Sequence, residues 1–456
     1  MRFRIYELRF AICAAGVLAL GRCRAPAQST NGTNVFPIDL PTTLRLAGAQ
    51  NLDVQLARAK LAEARAAHEG AVEQLFPWLA PGVAYHRRDG SAQFFPAGNV
   101  IDNAHLESYA PGGTVAAQAD WGNALFAALQ AHQLVRAASH ALDAQRQDSL
   151  LAAAQGYFDL AEAQAGVGVA REAVRISADY ENQLHRAVSA GVAFHGDELR
   201  VATQTERDRL LLRQVQELQR VAAARLSETL HLDATIELVP QETELVPLNL
   251  VKPDTPLGAL VSQALVARPE LKQSQALLAA ARAANNGATY GPLLPTLGAQ
   301  VFVGGFGGGP EGQHGEFGAA QDYFTTLSWR VGPGGLFDPA RRHGTRAQLS
   351  GAQFAREKTR DQITREVVET VTRVRSLSDQ IATARRALTN AEETLRLTLE
   401  RKEFGVGIVL ENIQAQQDLT RARSDYLQAV AEFDKAQYAL RTAVGLTDTP
   451  EQRTAP

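Results

Sequence analysis

Cysteine, aromatic side chains and long hydrophobic runs are all scarce in this chain. Its two cysteines, Cys13 and Cys23, both fall within the first 27 residues. A chain processed after Ala27 therefore has no disulfide, thiolate metal site or cysteine nucleophile. Aromatics make up 6% of the 456 residues, while Ala, Leu, Gln, Glu and Arg dominate long stretches. That balance favours long helices over compact mixed domains. Beyond the N-terminus no apolar run approaches the roughly 18 residues of a membrane-spanning helix. The net charge is −3, and no basic patch with interleaved aromatics appears, so nucleic acid is not an expected partner. The 10 histidines are scattered, without HExxH or paired Cys/His spacing, and we assign no metal or other cofactor. The glycine run Gly304–Gly309 opens onto Pro310 and further loop rather than a helix N-terminus, which argues against a phosphate cradle. No nucleophile constellation of the GxSxG kind is present.

What the chain does have begins with an export signal. Arg2, Arg4 and Arg9 precede the apolar run Phe10–Leu20, and Ala25-Pro26-Ala27 offers a small-x-small cleavage site. About 11 apolar residues are too few for an anchor. Removing residues 1–27 takes away five Arg and one Glu, leaving 41 basic and 48 acidic residues. Leu20-Gly21-Arg22-Cys23 also bears a faint likeness to a lipobox, with Arg22 where a small residue is wanted, so lipidation of Cys23 stays open.

The chain then repeats itself. Leu44–Ala67 is echoed by Leu257–Ala284, with Ala64-Arg65-Ala66-Ala67 falling on Ala281-Arg282-Ala283-Ala284. Phe76-Pro77-Trp78-Leu79 is echoed by Leu294-Pro295-Thr296-Leu297, and Ala190-Gly191-Val192-Ala193 by Phe404-Gly405-Val406-Gly407. Offsets of roughly 214 to 218 residues are far too long for a solenoid unit. They mark a duplicated half-molecule. We divide the chain into the leader (1–27), an N-terminal segment (28–43), a first repeat (44–231), a connector (232–255) containing Pro240 and Pro247, a second repeat (256–446) and a tail (447–456).

Each half reads as helix, two strands, long helix and return helix. The first helix is expected over about 43–75, capped by Thr42 or Thr43, and its counterpart from Asp254-Thr255-Pro256 to about Asn286. Val83–Arg87 and Leu297–Val303 alternate with period two, as strands do. After a loop, the second of which spans Gly304–Gly318, a second strand returns in each half. Val115, Ala117, Ala119 and Trp121 share one face opposite Thr114, Gln118 and Asp120. Tyr323, Thr325, Leu327, Trp329 and Val331 oppose Thr326, Ser328 and Arg330. Strands of about nine residues, apolar on one side and polar on the other, suit a membrane barrel. The soluble alternative is a half-buried sheet on a core. Trp78, Trp121 and Trp329 all lie at one end of their hairpins, where an interfacial belt would put them.

Long helices follow, from about Asn123 to Ser189 and from the cap Asp338-Pro339 to about Phe404. Val367, Val374, Ile381, Leu388 and Leu395 form a seven-residue ladder, a coiled-coil seam. Glycine turns end both, and shorter helices return over about 197–230 and 410–444. A 67-residue helix spans about 100 Å, and the two shorter helices of each half, about 52 and 48 Å, add up to it. They can therefore stack end to end beside it. The expected fold is mainly α with a small β part, a rod that crosses distance.

In these features, which cover about Leu44 to Leu446, the chain resembles the TolC-like outer-membrane efflux family. The resemblance rests on the duplication, the two X-Pro-X-Leu steps, the strand-ending tryptophans and a glycine turn followed by an acidic residue at the start of each return helix. It implies a homotrimer whose chains contribute four strands each to a twelve-stranded barrel in the outer membrane of a Gram-negative-type bacterium. Below the barrel, long helices would line a periplasmic tunnel. It implies partners too: outer-membrane lipid, a periplasmic adaptor (membrane fusion protein) and an inner-membrane pump, in a tripartite efflux or type I secretion system. Cargo would pass without chemistry. The resemblance places periplasmic-aperture residues at Asp197, Glu411 and Gln414, where the glutamine stands at a position the family makes acidic. Gly407 replaces the arginine that would link to the acid at the first turn, leaving that link without its partner. Adaptor contact is implied at Gly191, Val192, Ala193, Gly405, Val406 and Gly407. Blander roles compete: Asp197 as a helix N-cap, Glu411 as a first-turn acid favoured by the dipole, the glycines as C-caps. The competing function is a periplasmic coiled-coil adaptor or tether. A secreted hydrolase lacks any candidate site.

Overall fold

The computed structural model describes residues 35–94, 102–233, 236–242, 244–252, 255–310, 317–403 and 408–446. The expected leader with both cysteines, Asp254, and Gly405, Val406 and Gly407 lie outside the described residues. The first half contains β1 (Val35–Ile38), α1 (Leu40–Gln50), α2 (Leu52–Glu73), β2 (Trp78–Phe94), β3 (Asp102–Ala119), α3 (Trp121–Ser189) and α4 (His195–Leu230). The second contains β4 (Glu237–Pro240), α5 (Leu257–Ala267), α6 (Pro269–Tyr290), β5 (Thr296–Pro310), β6 (Gly318–Ser328), α7 (Pro339–Glu403) and α8 (Val409–Ala443).

The long helices α3 and α7 have 69 and 65 residues, about 100 Å each. Beside α3 lie α1 and α2 in the upper half and α4 in the lower; beside α7 lie α5, α6 and α8. In the first half α1 (11 residues), α2 (22) and α4 (36) together match the 69 of α3. The ladder on α7 faces the core as expected: Val367, Val374 and Leu395 are buried, and Ile381 and Leu388 are partly so. Asp338 caps α7 through the backbone N–H of Arg341.

Three expectations need correction. The helix before each hairpin is not continuous. Asn51 breaks the first, its side chain accepting from the N–H groups of Asp53 (2.9 Å) and Val54 (3.3 Å) to start α2. Arg268 breaks the second because Pro269 disfavours helical geometry in the residue before it, and Arg268 sits at ψ 126°. Nor are the caps those expected. Asp39, not Thr42 or Thr43, caps α1, receiving the Thr42 N–H at 3.0 Å. Pro256 precedes α5 with no side-chain cap, so Thr255 does not fill that role. Finally, Gly304–Pro310 is not loop but the end of β5. The four strands are 17, 18, 15 and 11 residues long rather than about nine. Glycine is required there because neighbouring rings lie across the strand. A Cβ on Gly305 would sit 1.8 Å from the Phe317 ring and one on Gly307 2.8 Å from Tyr109.

The breaks at Asn51 and Arg268 are equivalent joints at mid-height. Asn51 Nδ2 donates to the Thr229 carbonyl at the end of α4 (3.0 Å), and Arg268 Nη1 reaches the Ala443 carbonyl at the end of α8 (3.5 Å). A helix C-terminus presents unpaired carbonyls and negative potential, and both donors meet that need. Each joint sits in a hydrophobic core of its own. Ile38, Leu44, Tyr157, Phe158, Leu226 and Leu230 build the first, and Leu260, Leu271, Ile363, Val367, Leu440 and Val444 the second. An unforeseen parallel pairing of β1 with β4, Val35 opposite Glu237, ties the N-terminal segment to the connector.

The connector is also held to α8. Leu248 N–H donates to Asp434 Oδ1 at 2.7 Å and Val251 N–H to Gln437 Oε1 at 3.3 Å. Asp434 is 1% exposed and its second oxygen has no hydrogen-bond partner among the described residues. Burial pushes its carboxyl up to about 7, the Leu248 N–H opposing and Glu242 adding to the rise. A raised carboxyl pKa favours the protonated folded state, so this contribution is full below 3.8, is lost progressively as pH rises, and is gone above about 7. Asp434→Asn keeps the acceptor and removes the charge. We expect it to raise the melting temperature at pH 8 and leave it nearly unchanged at pH 3, below the pKa of the unfolded carboxyl. A three-unit shift is worth at most about 4 kcal/mol, and residual hydration reduces that to about 2. Equal displacement at both pH values, followed by circular dichroism, contradicts the assignment.

Candidate functional site

Two regions can carry function: the strand ribbon at one end of the rod and the helical turns at the other. The ribbon is one antiparallel sheet in the order β2-β3-β5-β6. Its register stacks side chains into two faces. Leu79 opposes Ala117, Pro81 opposes Val115, Val115 opposes Val301, and Val301 opposes Tyr323, all on one face with Leu297 and Leu327. Thr114, Gln118, Gln300, Asp322 and Thr326 lie on the other, with Phe302 and Phe324 as apolar exceptions. The apolar face is open: Val83 is 95% exposed, and Leu79, Tyr85 and Tyr323 are also exposed. Apolar surface of this kind, with no soluble core to cover it, fits lipid.

The three tryptophans gather where strands meet helices. Trp78 opens β2, Trp121 follows β3 and Trp329 follows β6. Trp121 Nε1 donates to the Leu75 carbonyl (3.0 Å) and Trp329 Nε1 to the Leu293 carbonyl (3.2 Å). The two copies thus use the same latch, each indole closing the chain segment that enters its own hairpin. Just below, α3 and α6 cross at glycine. A Cβ on Gly122 would lie 2.1 Å from the Gly291 carbonyl oxygen.

At the far end, α3 closes in a glycine turn. Gly191 has φ +75° and donates to Val188 O (2.9 Å), while Val192 donates to Ala187 O (3.0 Å). This is a helix C-cap that only glycine adopts without strain. Val192 (78%) and Phe194 (74%) are left exposed, whereas Ala193 packs on Tyr180, Leu184, Val201 and Ile413, joining the two hairpin ends. Asp197 is not the N-cap: α4 starts at His195, after Phe194, and Asp197 sits in its first turn paired with Arg200 at 3.2 Å. Glu411 lies in the first turn of α8 and pairs with Arg401 of α7 at 3.2 Å. Gln414 Nε2 donates to Asp418 Oδ1 at 3.0 Å, keeping an acid close to that position.

Sequence reasoning missed two of these links. Arg401 supplies a basic partner where Gly407 offers none; a basic residue in the last turn before a glycine turn, with an acid just after it, was the available signal. Glu198 takes His185 Nδ1 on one oxygen (2.6 Å) and His195 Nδ1 on the other (2.8 Å), a clasp across the α3–α4 turn. The hydrogen bonds from His185 and His195 hold the Glu198 carboxyl below the usual carboxylate range. No group of three or more ligating side chains among the described residues could hold a metal ion. No described helix is long and apolar enough to cross a membrane.

A two-faced strand ribbon carried on a helical layer about 100 Å long is the architecture of the outer-membrane channels. The protein shares the fold of the outer-membrane channel OprN, at TM-score 0.72 and 20% identity over 89% of both chains. It shares that of the Campylobacter jejuni CmeC outer membrane channel as well, at TM-score 0.73 and 15% identity over 91% of this chain and 88% of that one. In sequence it is 28% identical to Protein CyaE of Bordetella pertussis over 324 residues, 70% of this chain and 67% of that protein. Residues 260–446 match the outer membrane efflux protein family. The second half of the chain thus matches this family, and the chain as a whole has the fold of these channels.

Proposed function

We propose that the chain forms a homotrimeric passive conduit in which twelve strands, four from each copy, close a barrel and the helices below line the tunnel. The observation that supports this most is the ribbon itself. Its four strands are too few to close alone, since about eight are the minimum, and its apolar face lacks a core. An adaptor or tether, the competing reading, has no use for such a ribbon. In this proposal Trp78, Trp121 and Trp329 sit at the periplasmic membrane interface, where amphipathic rings are favoured. Cargo moves through without chemistry, and the protein joins an inner-membrane pump through a periplasmic adaptor in tripartite efflux or type I secretion. The adaptor would pack on the small turn Gly191-Val192-Ala193 and on the equivalent sequence Gly405-Val406-Gly407.

Asp197, Glu411 and Gln414 would border the periplasmic aperture. The Arg401–Glu411 pair supports a closing link of this chain's own, made within one hairpin. Glu411→Ala is expected to raise the resting conductance of the channel in a planar bilayer, and Arg401→Ala to raise it as well. Current unchanged in both variants would leave Glu411 only its favourable place at the helix N-terminus.

A further inference from the structure

The molecule has two unfinished edges, and they are complementary. In the sheet, β2 and β6 stand at the two ends of the order β2-β3-β5-β6. Below it the helices repeat that order. α2 packs on α3, α3 on α6, and α6 on α7, which leaves α2 and α7 at the borders of the layer. β2 continues α2 and β6 leads into α7, so each edge of the chain is one strand prolonged by one helix. Two different surfaces that fit each other make a head-to-tail contact, which closes into a ring when the rotation allows.

Each border helix carries an unusual face. On α7, Phe354 is 74% exposed among arginine, glutamine, serine and alanine. It lies nine residues before the buried Ile363, two and a half turns at about 3.6 residues per turn, and so projects from the side opposite the ladder. On α2, Val54 and Leu61 are buried, while Ala59, Ala62 and Ala66 form an exposed row spaced three and four apart. That row is smooth and apolar, with room for a ring.

The two faces lie at the same height. The Trp121–Leu75 hydrogen bond sets the top of α2 level with the start of α3. Arg341 Nη2 donates to Asn123 Oδ1 at 2.9 Å, which sets the top of α7 at that level too. Phe354 lies 13 residues below Arg341, and Ala62 lies 13 residues below Leu75, each a descent of about 20 Å.

We propose that Phe354 of one copy packs on the Ala59–Ala62–Ala66 face of the next, so that strand pairing between β6 and β2 continues downward as a contact between α7 and α2. The inference rests on the trimer reading above and names its contact surface. Ala66→Cys with Ala347→Cys tests the contact just above Phe354 without replacing it, since Ala347 lies on the same side of α7, seven residues earlier. After leader removal no other thiol is present. A short bismaleimide should give covalent dimers and trimers of the double variant on denaturing gels, and none of either single variant. Phe354→Ala should lower the temperature at which the trimer dissociates, and Phe354→Leu should restore most of it. Trimers by native mass that neither cross-link at this pair nor respond to Phe354→Ala would overturn this contact and leave the trimer standing. A wild-type protein that is monomeric by native mass overturns both.

Discussion

Gly122→Val should abolish the proposed trimeric channel, and Gly122→Ala should severely destabilise it. A Cβ at position 122 would lie 2.1 Å from the Gly291 carbonyl oxygen and 3.2 Å from Leu294 Cβ. The first obstacle is backbone, which cannot swing aside as a side chain would. Alanine in a helix is worth up to about 1 kcal/mol over glycine, but forced overpacking costs about 1–3 kcal/mol or more. With a contact this short the penalty wins. The damage falls at the junctions of β3 with α3 and of α6 with β5, so it reaches the ribbon as well as the helical layer. Gly344→Ala is the control, because nothing lies within 4 Å of its Cβ. We expect that variant to match or slightly exceed wild type. Heat-modifiable gel mobility and a thermal melt separate the three; a fully stable Gly122→Ala trimer contradicts the close crossing.

Arg268→Ala should be the most damaging change at mid-height. The side chain is buried, with Nη2 2.6 Å from Glu270 and Nη1 2.8 Å from Glu366, and it also reaches the last turn of α8. Truncation would leave two carboxylates and a helix end unpaired at once. Removing one partner of a buried pair costs about 3–5 kcal/mol. Glu366 is 42% exposed in its side chain, so water recovers part of that and about 3 kcal/mol is the expectation. Arg268→Lys retains charge but not the fork that serves three acceptors, and should fall between. The equivalent joint carries Asn51, which is neutral. Asn51→Ala should cost about 1 kcal/mol, the usual value of a lost cap. Urea melts at fixed pH order these variants, and an Asn51→Ala penalty equal to that of Arg268→Ala would remove the distinction between the joints.

Much of this architecture was legible because its signals are local and periodic. The Val367–Leu395 ladder, the Asp338-Pro339 cap and the two-faced strands can be read from spacing alone, and the duplication lets each half check the other. The breaks at Asn51 and Arg268 were not read. At Asn51 the helical pattern continues on both sides, and the cap depends on a side chain turning back. At Arg268 the following Pro269 did announce the break, but the echo of the first copy masked it. The length of β5 was missed because a glycine run looks like loop until Tyr109 and Phe317 from elsewhere are seen to lie across it. Likewise Arg401–Glu411 and His185–Glu198–His195 join residues brought together only by the angle of a turn. The strand pairing of Val35–Ile38 with Glu237–Pro240 spans most of a repeat, and no local pattern in four residues announces it.

The central claim is that this protein is a conduit closed by several copies, and its most direct test is electrical. Detergent-extracted protein added to a planar lipid bilayer should insert as a trimer and give discrete, stable conductance steps. A preparation that stays monomeric and soluble without detergent, and passes no current, would contradict it.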